Sequence, residues 1–497
     1  ISTQTVGIGY YALSGATGTE GTVAIGHLAA KALTTGDHNV AIGKSAMLGN
    51  TTTNYNVAIG SDSMQLVGAD SSTAVGYYSM NAHSGDTNVA LGAYSLRKGT
   101  GAYNVGLGVS AMTNVSGGTG GVAVGYQSGY HPTGNYNTWV GYNSGFGTAA
   151  GAAYQNVAIG REAMMSINDG YENVAVGYQA GKVITDGHKN VAMGSYALDA
   201  DTTGHSNTAL GYHALGDATV GSENVAIGTY AGKAYVGTTS SVYGGFSVFI
   251  GHTAGLQLTG NGSYKGVTLV GHATGYSATG ANNITGLGAS AFYYADGASE
   301  SVAVGRSAGS YAKGTGSVMV GDKASYRISG NYNTAIGYRA LSGASSGTGF
   351  GTALNNVTIG YTAMEDATSA KENVAIGNGA FTNVTSGNYN VHVGRSAGYY
   401  NTGGHRNTSL GYAAMWAFTQ AGDTYNTAIG MYAMQNVETG SSNVAVGYEA
   451  LKGTTGTDND YNIAIGTETL QAAAGATQNV AIGYYAGRGN TTADYNV

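Results

Sequence analysis

A chain of 497 residues with 86 glycines, 9% charged residues and 39 tyrosines against 7 phenylalanines is far from an average globular composition, yet its 42% hydrophobic content is too high for a disordered one. It has no cysteine, which excludes disulfides and thiolate metal sites, and a formal net charge of -7 offers no basic stripe for nucleic acid or an anionic membrane. No apolar run is long enough to span a bilayer and no signal peptide is visible, while the opening at Ile1 and the stop at Val497 just after a new "YNV" suggest a segment of something longer.

Along the chain one phrase recurs, written "NVAIG" at Asn39, Asn56, Asn156, Asn224, Asn373 and Asn479. Its closing glycine is a marker, found first at Gly9, Gly26, Gly43, Gly60, Gly76, Gly92, Gly108, Gly125, Gly141, Gly160, Gly177, Gly194, Gly211 and Gly228. The series continues at Gly251, Gly271, Gly288, Gly305, Gly321, Gly337, Gly360, Gly377, Gly394, Gly411, Gly430, Gly447, Gly466 and Gly483. Of the 27 spacings between these 28 copies, 21 fall at roughly 16 to 17 residues, too short for helical repeats. Composition does not shift along the chain and there is a single proline, Pro132, so one architecture is expected over 1-497, with bulged coils at 229-271 and 338-360.

The phrase states its own secondary structure. Three residues before the marker stands Val, Thr or Ile, and immediately before it Ile, Val, Leu or Met, in all 28 copies; between them Ala stands in 18 and Gly in three. That period-two alternation predicts a half-buried strand, with the aliphatic pair inward and the small residue on the other face. Val40, Ile42, Val57, Ile59, Val157 and Ile159 are then core residues, and Ile59→Asp should open its coil. Trp139, Phe249, Leu269, Met319, Thr358, His392 and Ser409 stand where Ala or Gly is usual, so the small face is either external or plugged at intervals by these residues. The marker supplies a turn, a second short strand of the "YxAL" or "xxAM" type is expected after it, and a polar stretch such as "TTGDHN" from Thr34 leads to the next phrase. Two short strands and two turns per repeat make one coil of a solenoid with less than about a tenth of its residues in helix. Asn opens the phrase in 19 copies, which predicts a ladder of stacked amides. One such coil is thin, so a second apolar surface between chains is expected, with the small alanine face allowing close approach.

The strings "NVAIGKSA" at Asn39, "NVAVGYQAG" at Asn173, "NTALGYHAL" at Asn207 and "NTAIGYRAL" at Asn333 resemble the head-domain repeats of trimeric autotransporter adhesins, and still more the "NTAxGYxAL...TTG" repeats of marine phage tail fibres. The resemblance covers essentially the whole chain. It implies an all-β, left-handed parallel β-roll (a β-solenoid) of about 28 coils, assembled as a homotrimeric fibre that attaches to a cell surface. The adhesin-head repeat is shorter, which favours a virion fibre, extracellular, over the alternative of a bacterial surface adhesin or extracellular filament. It brings no catalytic residue.

Candidate chemistry is sparse. Acidic residues form no recurrent pair for acid-base catalysis, no phosphate loop is present, and neither enzyme activity nor a cofactor or metal is expected. His188 and His205, one period apart, should stack on neighbouring coils, as polar turn residues or as a ring of ion ligands around a threefold axis. Tyrosines recur after the marker and before the phrase (Tyr55, Tyr103, Tyr136, Tyr332, Tyr389, Tyr425, Tyr461), read first as structural phenol ladders and second as a grip for sugar. Any recognition of a host glycan or protein is expected on the long intervals, where Tyr235, Tyr243, Phe246, Tyr264 and Lys265 come to adjacent coils, read first as cover for the roll where it bulges and second as a surface to stack on a glycan ring.

Overall fold

The computed structural model describes residues 4-66, 68-131, 134-148, 151-219, 221-235, 246-258, 266-343, 351-454, 458-489 and 494-497. No helix occurs among them; the chain is an all-β parallel solenoid with a repeat of about 17 residues. It divides into two compact units, Ile1–Ser247 and Val248–Val497.

Each unit is built the same way. In the first, every phrase forms a three-residue strand, from Val6–Ile8 to Val225–Ile227, and consecutive strands pair in parallel without slippage: Val40 lies against Val57, Ala41 against Ala58, Ile42 against Ile59. In the second, the strands from Val248–Ile250 to Val480–Ile482 repeat the arrangement, as in the pairing of Val357 with Val374 and Ile359 with Ile376. The marker glycine holds the coils in step. Gly43 has a φ of 135°, and a Cβ there would sit 2.5 Å from the carbonyl oxygen of Gly60 in the next coil, so no side chain fits.

A buried relay runs beside the strands. The backbone N–H of Asn56 donates to the side-chain oxygen of Asn39 at 3.0 Å, while the Asn56 amide donates to the Ala69 carbonyl at 2.8 Å. Ser72 takes the next place: its N–H donates to Asn56, and its own hydroxyl accepts from the N–H of Asn88 at 3.1 Å. The second unit carries the same relay from Asn333 through Asn356, Asn373 and Asn390, the anticipated amide ladder.

The second strand expected directly after the marker, of the "YxAL" or "xxAM" type, is absent among the described residues. Residues 61-66 form turns in which Asp62 (φ 56°) and Met64 (φ 48°) are left-handed. Their N–H groups still reach neighbouring coils, Asp62 to the Lys44 carbonyl and Met64 to the Ser79 carbonyl. The arc therefore has a strand's inter-coil hydrogen bonds without its extended backbone.

The faces of the strand are the reverse of the sequence expectation. Every strand centre from Ala24 to Ala464 that is alanine is fully buried, whereas Ile59 and Ile159 are 36% and 41% exposed and Val40, Ile42, Val57 and Val157 are half-exposed. The cause is space. The arc folds the fourth residue after the marker under the strand, so Met64 fills the room beside Ala58 and Met47 that beside Ala41, and a second large side chain does not fit. The seven exceptional residues lie inside as well, neither external nor plugging an axis: Trp139, Phe249, Leu269, Thr358, His392 and Ser409 are fully buried and Met319 nearly so. Where the strand centre is large, the filler is deleted. Trp139 pairs with Gly145, Phe249 with Gly255, Leu269 with Gly275 and His392 with Gly398. A Cβ on Gly145 would lie 2.3 Å from the Trp139 indole. Where centre and filler are both small, the seventh residue after the marker supplies the bulk, as with Leu33, Ile184 and Tyr235.

The residue to mutate for coil stability is therefore Ala58, not Ile59. Ala58→Asp strands a carboxylate inside the coil and is expected to cost about 3 kcal/mol or more. Ile59→Asp alone is expected to leave the coil closed. Urea unfolding with limited proteolysis of both variants is the check.

Candidate functional site

No enclosed reactive centre forms among the described residues. What the fold builds instead are columns of like positions on its surface, one residue per coil. The first is the aliphatic stripe. Val89, Leu91, Ile159, Met193 and Ile227 in the first unit, and Ile250, Leu287, Leu410, Ile463 and Ile465 in the second, are all exposed on the outward strand face. An apolar stripe repeated at every coil far exceeds the scattered exposure normal for a monomer.

Two kinds of tyrosine column differ sharply. Those just after the marker are stacked and clamped. Tyr126 and Tyr142 lie 5.2 Å apart at 15°, Tyr338 and Tyr361 5.0 Å apart at 13°, and Arg161 lies over both Tyr142 and Tyr178. Just before the phrase asparagine, by contrast, Tyr103, Tyr136, Tyr332, Tyr389, Tyr425 and Tyr461 project with more than half their surface exposed. Among the described residues none of these six stacks on another ring; of this column, only Tyr55 does, on His38. All take left-handed backbone, with φ between 52° and 62°, which costs a bulky residue about 1 kcal/mol each.

The histidine expectation holds in its geometry. His188 and His205 stack at 4.9 Å and 2°, continuing a column from Tyr154 and Tyr171, and His205 Nδ1 meets the Ser222 hydroxyl at 2.7 Å. Among the described residues no group of three His, Cys, Asp or Glu side chains is placed to hold a metal ion. A shallow groove of about 650 Å³ lies on the first unit, lined by Leu66, Lys98, Thr100, Asn114, Ser116 and His131. There each interval from Gly60 to Gly108 is one residue shorter than that from Gly43 to Gly60, and Ala82–His83, Lys98–Gly99 and Asn114–Val115 pair as a second small parallel sheet.

The proposed recognition loops fare less well. Tyr235 is 1% exposed, its hydroxyl meeting the Ser247 hydroxyl at 3.1 Å, so it is core filler and unavailable to a receptor. Phe246 is 55% exposed. Tyr243, Tyr264 and Lys265 lie outside the described residues, as do 236-245, 259-265 and 344-350 of the two long intervals.

Compared with known proteins, the chain matches no family model and no curated protein. Its functional reading therefore rests on its own surfaces.

Three buried groups and the half-buried Asp199 make the fold sensitive to pH. His392, against Phe381 at 4.4 Å with its Nδ1 2.6 Å from the Ser409 hydroxyl, is pushed down by burial to about 3, and His83, also by burial, to about 4. Burial pushes Asp199 and Asp201 up to about 6. The depressed histidines contribute stability that is fully present above pH 6.5 and is lost as pH falls toward 4 and 3, because the unfolded imidazoles take up protons first. The raised carboxyls act in the opposite sense, losing their contribution as pH rises from 3.8 through about 6. His392→Gln is expected to flatten the fall of Tm between pH 6.5 and 4 in thermal melts, and an unchanged slope would exclude His392 as its source.

Proposed function

We propose that this chain is a structural and adhesive shaft, a segment of an extracellular trimeric fibre of the phage tail type, in which the aliphatic stripe is buried between copies. The stripe is the observation that carries the reading. A face with a partly or fully exposed aliphatic residue before the marker of each coil in both units, most often paired with Val or Thr two residues earlier, is poorly suited to water, and its regular repeat suits a partner with the same repeat, which another copy of the chain has. Three copies around one axis give the stripe of each unit a common apolar centre, the arrangement that the resemblance of the "NTAIGYRAL" type strings implies. This revises the expected interface: alanine is used up inside the coil, and the aliphatic side is the one left to associate. A rigid, repetitive scaffold with turns of variable composition also suits attachment.

Native mass measurement and cross-linking of the full chain are expected to give a trimer. Ile59→Asp combined with Ile159→Asp should weaken association by about 2 kcal/mol or more per buried aspartate while the strand-type circular dichroism spectrum is kept. A wild-type chain that remains monomeric at micromolar concentration contradicts the proposal.

A further inference from the structure

Within the second unit the projecting tyrosines form a comb. Tyr389, Tyr425, Tyr461 and Tyr495 occupy the position just before the phrase asparagine in alternate coils, and Arg406, Ser442 and Gln478 occupy it in the coils between. The column is in register: the N–H of Ser442 donates to the Thr424 carbonyl, that of Tyr461 to Ser441, that of Gln478 to Asp460 and that of Tyr495 to Thr477, at 2.7 to 3.2 Å. Since neighbouring coils lie about 4.8 Å apart, successive rings stand about 9.6 Å apart with a slot between each pair. Arg406 fills the first slot, 5.4 Å from the rings of Tyr389 and Tyr425 and ion-paired to Asp423. In the next two slots, between Tyr425 and Tyr461 and between Tyr461 and Tyr495, the intervening coil carries the uncharged, half-buried Ser442 and the uncharged, exposed Gln478.

We infer that this comb is a binding strip for an uncharged linear polysaccharide. Tyrosine in left-handed backbone is disfavoured where asparagine or glycine is at ease, so the rings, exposed by 51% to 77%, are not there for the coil. A two-coil period repeated three times fits a ligand that is itself periodic. Single-stranded nucleic acid also stacks on aromatic platforms, but it needs cations along its phosphates. This strip offers instead Asp423, Asp460 and Asp494 beside the rings, and its one guanidinium is already paired. Those carboxylates repel acidic glycans on the same ground. A neutral sugar chain meets both requirements: its ring faces are apolar enough to lie on phenol rings, and its hydroxyls can reach Ser442 and Gln478 and the tyrosine hydroxyls. The inference deepens the adhesive half of the proposed function and does not depend on the number of copies.

The test is affinity electrophoresis of the full chain in gels containing hydroxyethyl cellulose, with dextran as the flexible, differently linked control. Tyr425→Asn, Tyr461→Asn and Tyr495→Asn remove the rings while keeping a residue that tolerates the backbone. Each is expected to weaken binding to hydroxyethyl cellulose about fivefold, and the triple variant about a hundredfold, with Tm unchanged or raised and the oligomer mass unchanged. Absence of wild-type retardation, or equal retardation of the triple variant, overturns the inference. So does loss of the oligomer in the triple variant, because the rings would then belong to the contact between copies. A failure of self-association with ring-dependent binding intact would instead count against the trimer alone.

Discussion

The buried amide relay is the interaction on which the rest depends. The typical Asn side chain accepts the backbone N–H of the corresponding residue one coil on and donates to a turn carbonyl, as Asn173 does with its oxygen to Asn190 and its amide to the Gly187 carbonyl. The relay survives where asparagine gives way to serine, because the hydroxyl of Ser301 accepts from Ser317 and that of Ser317 from Asn333. Each link is buried, so breaking one leaves a donor or acceptor without water to replace it. A one-residue slip between coils would break the relay and turn every strand over, which is why register holds at copies as different as Trp139 and Ala158.

Fixed register makes the interior a fixed volume. Each coil fills its interior from three positions, the strand centre and the fourth and seventh residues after the marker: a large centre such as Trp139 goes with a small fourth residue, Gly145, while a small centre leaves room for one large side chain, as at Leu215 with Ala218, or for two, as at Met415 with Phe418. His392 is the polar version of this rule, fitted over Gly398 and hydrogen-bonded to Ser409 one coil on. With the inside so filled, the β-branched residues that suit the strand backbone must face out. The apolar stripe is thus a consequence of a narrow coil, and a narrow coil is short of core. The association proposed for the stripe answers both.

Much of this was legible in the letters. The marker glycine, the short regular period and the asparagine ladder follow from spacing alone, because stacking puts residues one period apart in contact. The direction of the strand was misread, since large aliphatic residues ordinarily point inward and alanine carries little hydrophobic weight. A signal for it was nevertheless present: Gly145, Gly255, Gly275 and Gly398 replace the Leu or Met of other copies in the repeats whose strand centres are Trp139, Phe249, Leu269 and His392. Compensation of that kind occurs only between residues that share a space. The left-handed turns imitate a strand because they keep its hydrogen bonds, and no residue type marks them, as Asp62, Tyr78, Gln127 and Lys323 all occupy the second place after the marker. Tyr235 looked like a surface aromatic because it lies on a long interval, yet Ala226 and Gly232 leave it a vacancy to fill.

Because the chain has no cysteine, single thiols report each face of the strand without interference. Val57, Ala58 and Ile59 replaced one at a time by cysteine, then treated with a maleimide in native buffer and after unfolding, test the inverted strand most directly. The account predicts that Ala58→Cys is protected until the coil unfolds, while Val57→Cys and Ile59→Cys are labelled or cross-link to a second chain. Rapid native labelling of Ala58→Cys, with Val57→Cys and Ile59→Cys protected and not cross-linked, would contradict it.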